Sequence, residues 1–250
     1  MQTTTGENHT GPVTVPTRHD DFYLSDQLSV FQVEGKLYKV HRHFLVEHSS
    51  AFRDMFALPA PAASSTAGGI EGDSDEHPIH LSGVTGVEFE SLMKVFYRSQ
   101  RPDFSLSYSE WLSVLAIAHR FDFPLIHTRA VENLRCPPTA AEAIPLLSAA
   151  VRYGVDVSEI PEALKMVIQR EQAIAIGEMQ TLSIEILSQV VLARETWIRD
   201  KDTYNCNRCQ DSLQPNRFRC GSCDMVTTNP AGGTNNASLL KNILKDVWHI

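Results

Sequence analysis

Four of the five cysteines fall in one short stretch, as Cys206-x-x-Cys209, ten residues, then Cys220-x-x-Cys223. Zinc prefers four tetrahedral ligands, and thiolates suit it well. A Cys-x-x-Cys turn lets two sulfurs meet one ion, and two such turns on a short hairpin can close a four-thiolate site. The separation between the pairs is shorter than in common zinc ribbons but leaves room for a small hairpin. Arg208, Arg217 and Arg219 can offset the negative charge of a zinc tetrathiolate. The expectation is one structural zinc ion held by Cys206, Cys209, Cys220 and Cys223, with no open coordination position for catalysis. Such an element would draw its folding energy from the metal. Apparent binding energies are ~10–16 kcal/mol near neutral pH, far above what so short a loop gains by burial. Three other readings stay open. The thiols can be reduced and unligated. A redox Cys-x-x-Cys pair is conceivable, although residues 190–230 lack the βαβ context of that chemistry. An Arg-bearing zinc element can also contact nucleic-acid phosphate. The fifth cysteine, Cys136, stands at the end of an apolar helix and reads as a buried, inert thiol.

The ten histidines carry less. His41 and His43 flank Arg42 at a helix start. His119 shares a helix with Leu115 and Ala116 and reads as a core or boundary residue. His77 and His80 border an acidic loop, where a carboxylate–His metal site is the weaker reading. No nucleophile elbow, P-loop, zincin helix or dinucleotide fingerprint occurs. Asn229 to Asn236 is Asn/Gly-rich, but no strand precedes it and no Lys-Ser/Thr follows, so it reads as a linker. The expectation is therefore a protein without catalytic or cofactor-binding residues. The net charge of −8 disfavours nonspecific binding to nucleic acid or anionic membranes. No run approaches the ~18 apolar residues of a membrane span, and the N-terminus shows no secretory leader. With an odd cysteine count, this points to a reducing compartment, cytoplasmic and/or nuclear.

The elements that must position these groups are legible from residue 21 onward. Residues 1–20 are Thr-, Gly- and Pro-rich and cannot bury enough surface to offset chain entropy. From Asp26 to Phe56 the chain reads as strand, Gly turn, strand and helix. Val30, Phe31 and Val33 carry apolar atoms on both faces, Glu34-Gly35 reverses the chain, and Leu37, Tyr38 and Val40 rebuild a strand. Leu45, Phe52, Met55 and Phe56 then take helical spacing. Residues 59–77 read as a flexible, low-complexity surface loop ending in acids, with Ser74 a candidate phosphosite. Thr85-x-x-Glu88, Ser107-x-x-Glu110 and Thr139-x-x-Glu142 each fit a capping box ahead of an apolar-periodic run. After Pro137-Pro138, residues 137–200 form a helical block. Ala143, Ile144, Leu147, Ala150 and Val151 make its first stripe, closed by Gly154. Pro161 opens the next helix, with Ile160, Leu164, Val167 and Ile168 on its apolar face. Leu182, Ile186, Leu187, Val190 and Val191 make a third. Residues 201–228 hold the cysteines, and 229–250 comprise a linker and an amphipathic helix through Leu239, Leu240, Ile243, Leu244, Val247 and Trp248. Docking on its own domain is the favoured role of that helix, ahead of partner binding.

The phrase VHRHFLVEHSSAFRDMF resembles the opening of a BTB/POZ domain: the His-Arg pair, the following Leu, the Ser and the Phe-x-x-Met-Phe stand in the family's order. Pro78-Ile79-His80-Leu81 is similar to the family's third strand. The helix around Phe89, Leu92, Met93, Phe96 and Tyr97, then WLSVLAIAHRFDFPLIHTRAVENL, are similar to its later helices. The resemblance covers about residues 21–135 and looks closest to the BTB proteins abundant in mushroom-forming fungi. It implies an α+β fold, a small mixed sheet flanked by helices. A helical extension and a small zinc-ribbon-like Cys element would follow. It also implies a non-enzymatic protein–protein interaction module. Many family members are substrate adaptors for cullin-RING ubiquitin ligases, and others sit on transcription factors, so a nuclear regulator using the zinc element is the alternative. The cullin is grasped by the later helices and the extension, which correspond here to residues 84–135 and 139–175. In dimeric members an Asp faces the Arg of the His-Arg pair. Arg42 is present, but Leu28 stands at the Asp position, with Asp26 the nearest acid. Monomer, homo-oligomer and hetero-oligomer therefore stay open.

Overall fold

Apolar atoms on both faces bury strand β1 (Leu28–Val33) at the centre of a three-stranded sheet of order β2-β1-β3. Val30, Phe31 and Val33 are essentially inaccessible to solvent. The computed structural model describes residues 17–20, 23, 27–58, 70–200, 204–205, 212–213 and 236–249. Strand β2 (Lys36–His41) pairs antiparallel with β1, Val33 opposite Lys36. That register leaves Glu34 and Gly35 as a two-residue turn, and both have positive φ, 46° and 79°. This is the twist-matched hairpin geometry, in which Gly35 is at ease and Glu34 is strained. Glu34 has a second tie: its carboxylate accepts from the Gly86 N–H at 2.8 Å, at the N-terminus of α3. Strand β3 (Ile79–His80) lies parallel to β1, Phe31 opposite Ile79.

The run after β2 is two helices rather than one. Helices α1 (Arg42–His48) and α2 (Ser50–Ala57) are separated by Ser49, whose backbone is extended. Its hydroxyl accepts from the Phe52 N–H and donates to the Phe121 carbonyl. A Ser that caps one helix and ties to a distant loop stops a helix that periodicity alone would continue. Helices α3 (Gly86–Arg98), α4 (Tyr108–Arg120) and α5 (Pro124–Leu134) then pack one on the next, and Phe89 of α3 packs on Phe31 and Tyr38 of the sheet. The Thr85/Glu88 and Ser107/Glu110 capping boxes form in full. At Thr139 the box is half made: Thr139 accepts from the Glu142 N–H, while the Glu142 carboxylate takes the Thr139 hydroxyl.

The helical extension comprises α6 (Ala140–Arg152), α7 (Pro161–Gln169), α8 (Ile176–Thr181) and α9 (Ile184–Asp200). Gly154 (φ 66°) follows α6, and the Val155 N–H reaches back to the Ala150 carbonyl, as a glycine-terminated helix requires. Ile160, Leu164, Val167 and Ile168 are all fully buried. The third stripe is shifted: Val191 is exposed, and Ala193, Arg194 and Trp197 continue the buried face instead. Arg194 donates to the carbonyls of Val167, Ile168 and Gln172, binding α9 to the C-terminal end of α7. Helix α10 (Asn236–Trp248) packs on α9 through Leu240, Ile243 and Leu244.

Candidate interaction surfaces

An open cleft of about 370 Å³ lies between α4 and the extension's α6. Leu112, Ser113 and Ala116 of α4 form one wall, with Glu88 of α3 at its edge. Pro145, Ser148, Ala149, Arg152 and Tyr153 form the other, and Thr181 closes the end. Pro145 lies inside α6 and has no N–H, so the Ala141 carbonyl one turn earlier lacks its usual partner. The Ser148 hydroxyl donates to the Thr181 carbonyl at 2.7 Å, which fixes the end of α8 to this wall. The cleft is thus mainly apolar, with a few polar groups at its rim. Its one legible signal in the sequence is a proline within an otherwise helical stripe.

Arg42 sits between sheet and helix. Its Nε donates to the Ser29 hydroxyl at 3.0 Å, and its guanidinium lies 4.2 Å from the Phe56 ring centroid. Among the described residues its ion-pair partner is Asp73, at 3.9 Å. Leu28, at the position where dimeric relatives carry an acid, is 45% exposed. Asp26 lies outside the described residues. Among the described residues the positive charge is thus met from the acidic stretch, by Asp73. That stretch is also more built than a free loop. The Val30 N–H donates to the Gly72 carbonyl at 2.7 Å, and the Gly72 N–H to the His77 carbonyl at 2.6 Å. Gly72 has φ 87°, and a Cβ there would come within 2.7 Å of Ile79. Residues 59–69 of the expected loop lie outside the described residues.

His119 is exposed, its ring 5.8 Å from that of Tyr153, so it belongs to the boundary and not the core. His77 approaches the Ser74 hydroxyl at 3.4 Å, and His80 is exposed. Among the described residues no group of three or more His, Cys, Asp or Glu is placed to hold a metal ion. Cys136 is exposed, contrary to the buried thiol expected, because it lies just past the last apolar turn of α5. Cys206, Cys209, Cys220 and Cys223 lie outside the described residues. What is described is the pair around the first two: β4 (Tyr204–Asn205) and β5 (Ser212–Leu213) are antiparallel, Tyr204 opposite Leu213.

Two carboxylates are strongly perturbed, and neither lines an enzyme-like constellation. The Glu110 carboxyl is pulled down to about 2, first by its hydrogen bond to Lys94 at 2.5 Å and then by the Ser107 N–H. Glu178 is also held near about 2, by the Arg170 guanidinium and the Ala175 N–H. The Tyr38 hydroxyl is pushed up to about 12 by burial and by its bond to Glu90. These are structural ties.

A small mixed sheet under helices is followed by a helical extension, with an open, mainly apolar cleft at their seam. Residues 25–136 match the family model of the BTB/POZ domain, so the chain carries a BTB/POZ domain, a protein–protein interaction module of a generally non-enzymatic family. No curated protein matches the chain. Among the described residues, no helix is long and apolar enough to cross a membrane.

Proposed function

We propose that this protein is a substrate adaptor for a cullin-RING ubiquitin ligase and that a cullin segment docks in the cleft between α4 and α6. The observation that carries this reading is the position of the cleft. Its walls come from the later BTB helices and from the first helix of the extension, the two parts with which family members grasp a cullin. Its apolar floor suits the hydrophobic anchors of a helix or extended peptide. Co-purification of the full chain with a recombinant cullin tests this. Ser113 lines the cleft and makes only a local bond to the Ser109 carbonyl. Ser113→Arg should therefore keep the fold, checked by circular dichroism, and lower cullin affinity by about tenfold or more, as for an interface charge without a partner. Absence of cullin binding by the unchanged chain across salt conditions overturns the adaptor role.

A zinc element downstream is the companion reading. The β4–β5 pairing supports it, because Cys206-x-x-Cys209 then falls in the six residues connecting two antiparallel strands, where a metal-binding turn belongs. Cys220 and Cys223 would complete the four thiolates. Metal analysis of the purified full chain should return one zinc per chain, lost in Cys206→Ser. A metal-free chain with four titratable thiols in this stretch excludes it. Use of this element on DNA, the nuclear alternative, predicts salt-dependent DNA binding that Cys206→Ser abolishes.

A further inference from the structure

A second, smaller pocket of about 160 Å³ opens between the end of α3 and the chain that leads into α4. Lys94, Arg98, Arg101 and Asp103 line it, with Phe104 and Leu106 as its apolar side. Two successive tight turns build it: the Arg101 N–H donates to the Arg98 carbonyl at 3.0 Å and the Phe104 N–H to the Arg101 carbonyl at 3.1 Å. The turns place two guanidiniums on one rim. Lys94 is engaged by Glu110, but neither Arg98 nor Arg101 takes part in an ion pair among the described residues. Arg129, outside the lining, adds a fourth cation nearby, 5.9 Å from the Phe104 ring centroid. Four cations therefore stand against two carboxylates, Glu110 and Asp103, in a chain whose net charge is −8.

We propose that this pocket binds a phosphate monoester, presented as a phosphorylated Ser or Thr on a partner protein. Two guanidiniums that make no ion pair among the described residues, lining one pocket, suit bidentate phosphate recognition. A dianion satisfies both, while Phe104 and Leu106 offer an apolar side for the methylene that carries it. The pocket is small, about 160 Å³, in a chain whose net charge is −8. A long polyanion would have to approach a chain of net negative charge well beyond the pocket, so a single phosphorylated side chain fits better than nucleic acid. Asp103 limits affinity from within the pocket.

The test titrates the full chain with an acetylated, amidated Gly-Ser-Gly peptide whose Ser is phosphorylated, and with its unphosphorylated twin, monitored by calorimetry or NMR. The phosphorylated probe should bind and the twin should not. Arg98→Gln and Arg101→Gln should each weaken binding about tenfold, the loss of one charge-assisted contact. Both side chains are exposed, so these variants should fold. Asp103→Asn should tighten binding, which keeps the site open to test by a gain. Equal binding of the two peptides, or no response to Arg98→Gln, Arg101→Gln and Asp103→Asn, overturns the proposal. Tighter binding of a single-stranded oligonucleotide, or of phosphatidylcholine vesicles containing phosphoinositide, than of the phosphopeptide overturns it too. Cullin co-purification is read separately, through Ser113→Arg.

Discussion

The BTB block and the helical extension are built from different materials. Of the eleven phenylalanines, nine lie between residues 25 and 136 and none between 137 and 200. In the first region Phe31, Phe52, Phe89 and Phe123 are fully buried and interlock edge to face or tilted, with ring centroids 5.8 Å apart for Phe31–Phe89 and 6.0 Å for Phe31–Phe52. In the second, Ile144, Leu146, Leu147, Ile160, Leu164, Val167 and Ile168 fill the core, and a buried Arg194 supplies direction. Aromatic rings have shape and preferred angles, so they fix how sheet and helices meet. Aliphatic stripes allow helices to slide, and polar anchors such as Arg194 then decide the register. The cleft lies where a rigid platform meets a bundle set by few polar ties.

Truncating a ring should break the first region hardest. Phe89 packs on Phe31 and, at 5.0 Å, on Tyr38, whose hydroxyl donates to Glu90 at 2.8 Å. Phe89→Ala should cost about 3–5 kcal/mol, read by urea denaturation. A loss under about 1 kcal/mol would mean that the aromatic network does not hold this region.

Arg194 is the matching test in the extension. Removing it leaves the Val167, Ile168 and Gln172 carbonyls, in and just after the end of α7, without this donor, and Arg194→Met should cost about 1–3 kcal/mol. Hydrogen exchange should quicken in α7 and α9 and stay unchanged in β1 and α3. Equal quickening in both regions would merge them into one cooperative unit and remove the contrast drawn above.

Legibility in the sequence follows the same division. The hairpin, the helices α3 to α5 and the first two capping boxes were readable because each rests on a local signal: Glu34-Gly35, Thr85-x-x-Glu88, Ser107-x-x-Glu110. Pro161 and Gly154 marked their helix ends for the same reason. What escaped was decided at a distance. Ser49 breaks a helix because Phe121, far along the chain, accepts its hydroxyl. Asp73 meets Arg42 only because the acidic stretch folds back on β1. Arg194 replaces an apolar residue on the α9 face because the end of α7 needs a donor. The cleft, likewise, belongs to no segment; it exists only once α4 and α6 are set against each other.

Each region also holds one carboxylate well below its ordinary range, and together they make the finest comparison. Glu110 answers to Lys94 in the BTB block, and Glu178 to Arg170 in the extension, both near about 2. A depressed carboxyl stabilises the fold fully above the ordinary glutamate pKa, and that contribution is lost as pH falls through this range toward about 2. Both pairs are partly open to solvent, so each is worth under about 1 kcal/mol near neutral pH. Melting temperature should therefore decline between about pH 5 and pH 2, less steeply in Glu110→Gln and in Glu178→Gln than in the unchanged chain. The two variants should differ in place. Glu110 also accepts from the Ser107 N–H at the start of α4, and Glu178 from the Ala175 N–H at the start of α8. Glu110→Gln should loosen α4 and with it one wall of the cleft, whereas Glu178→Gln should loosen α8, which only closes its end. Cullin binding should then fall more in Glu110→Gln than in Glu178→Gln. The opposite order would place the partner's main contact on the extension instead of on the BTB block.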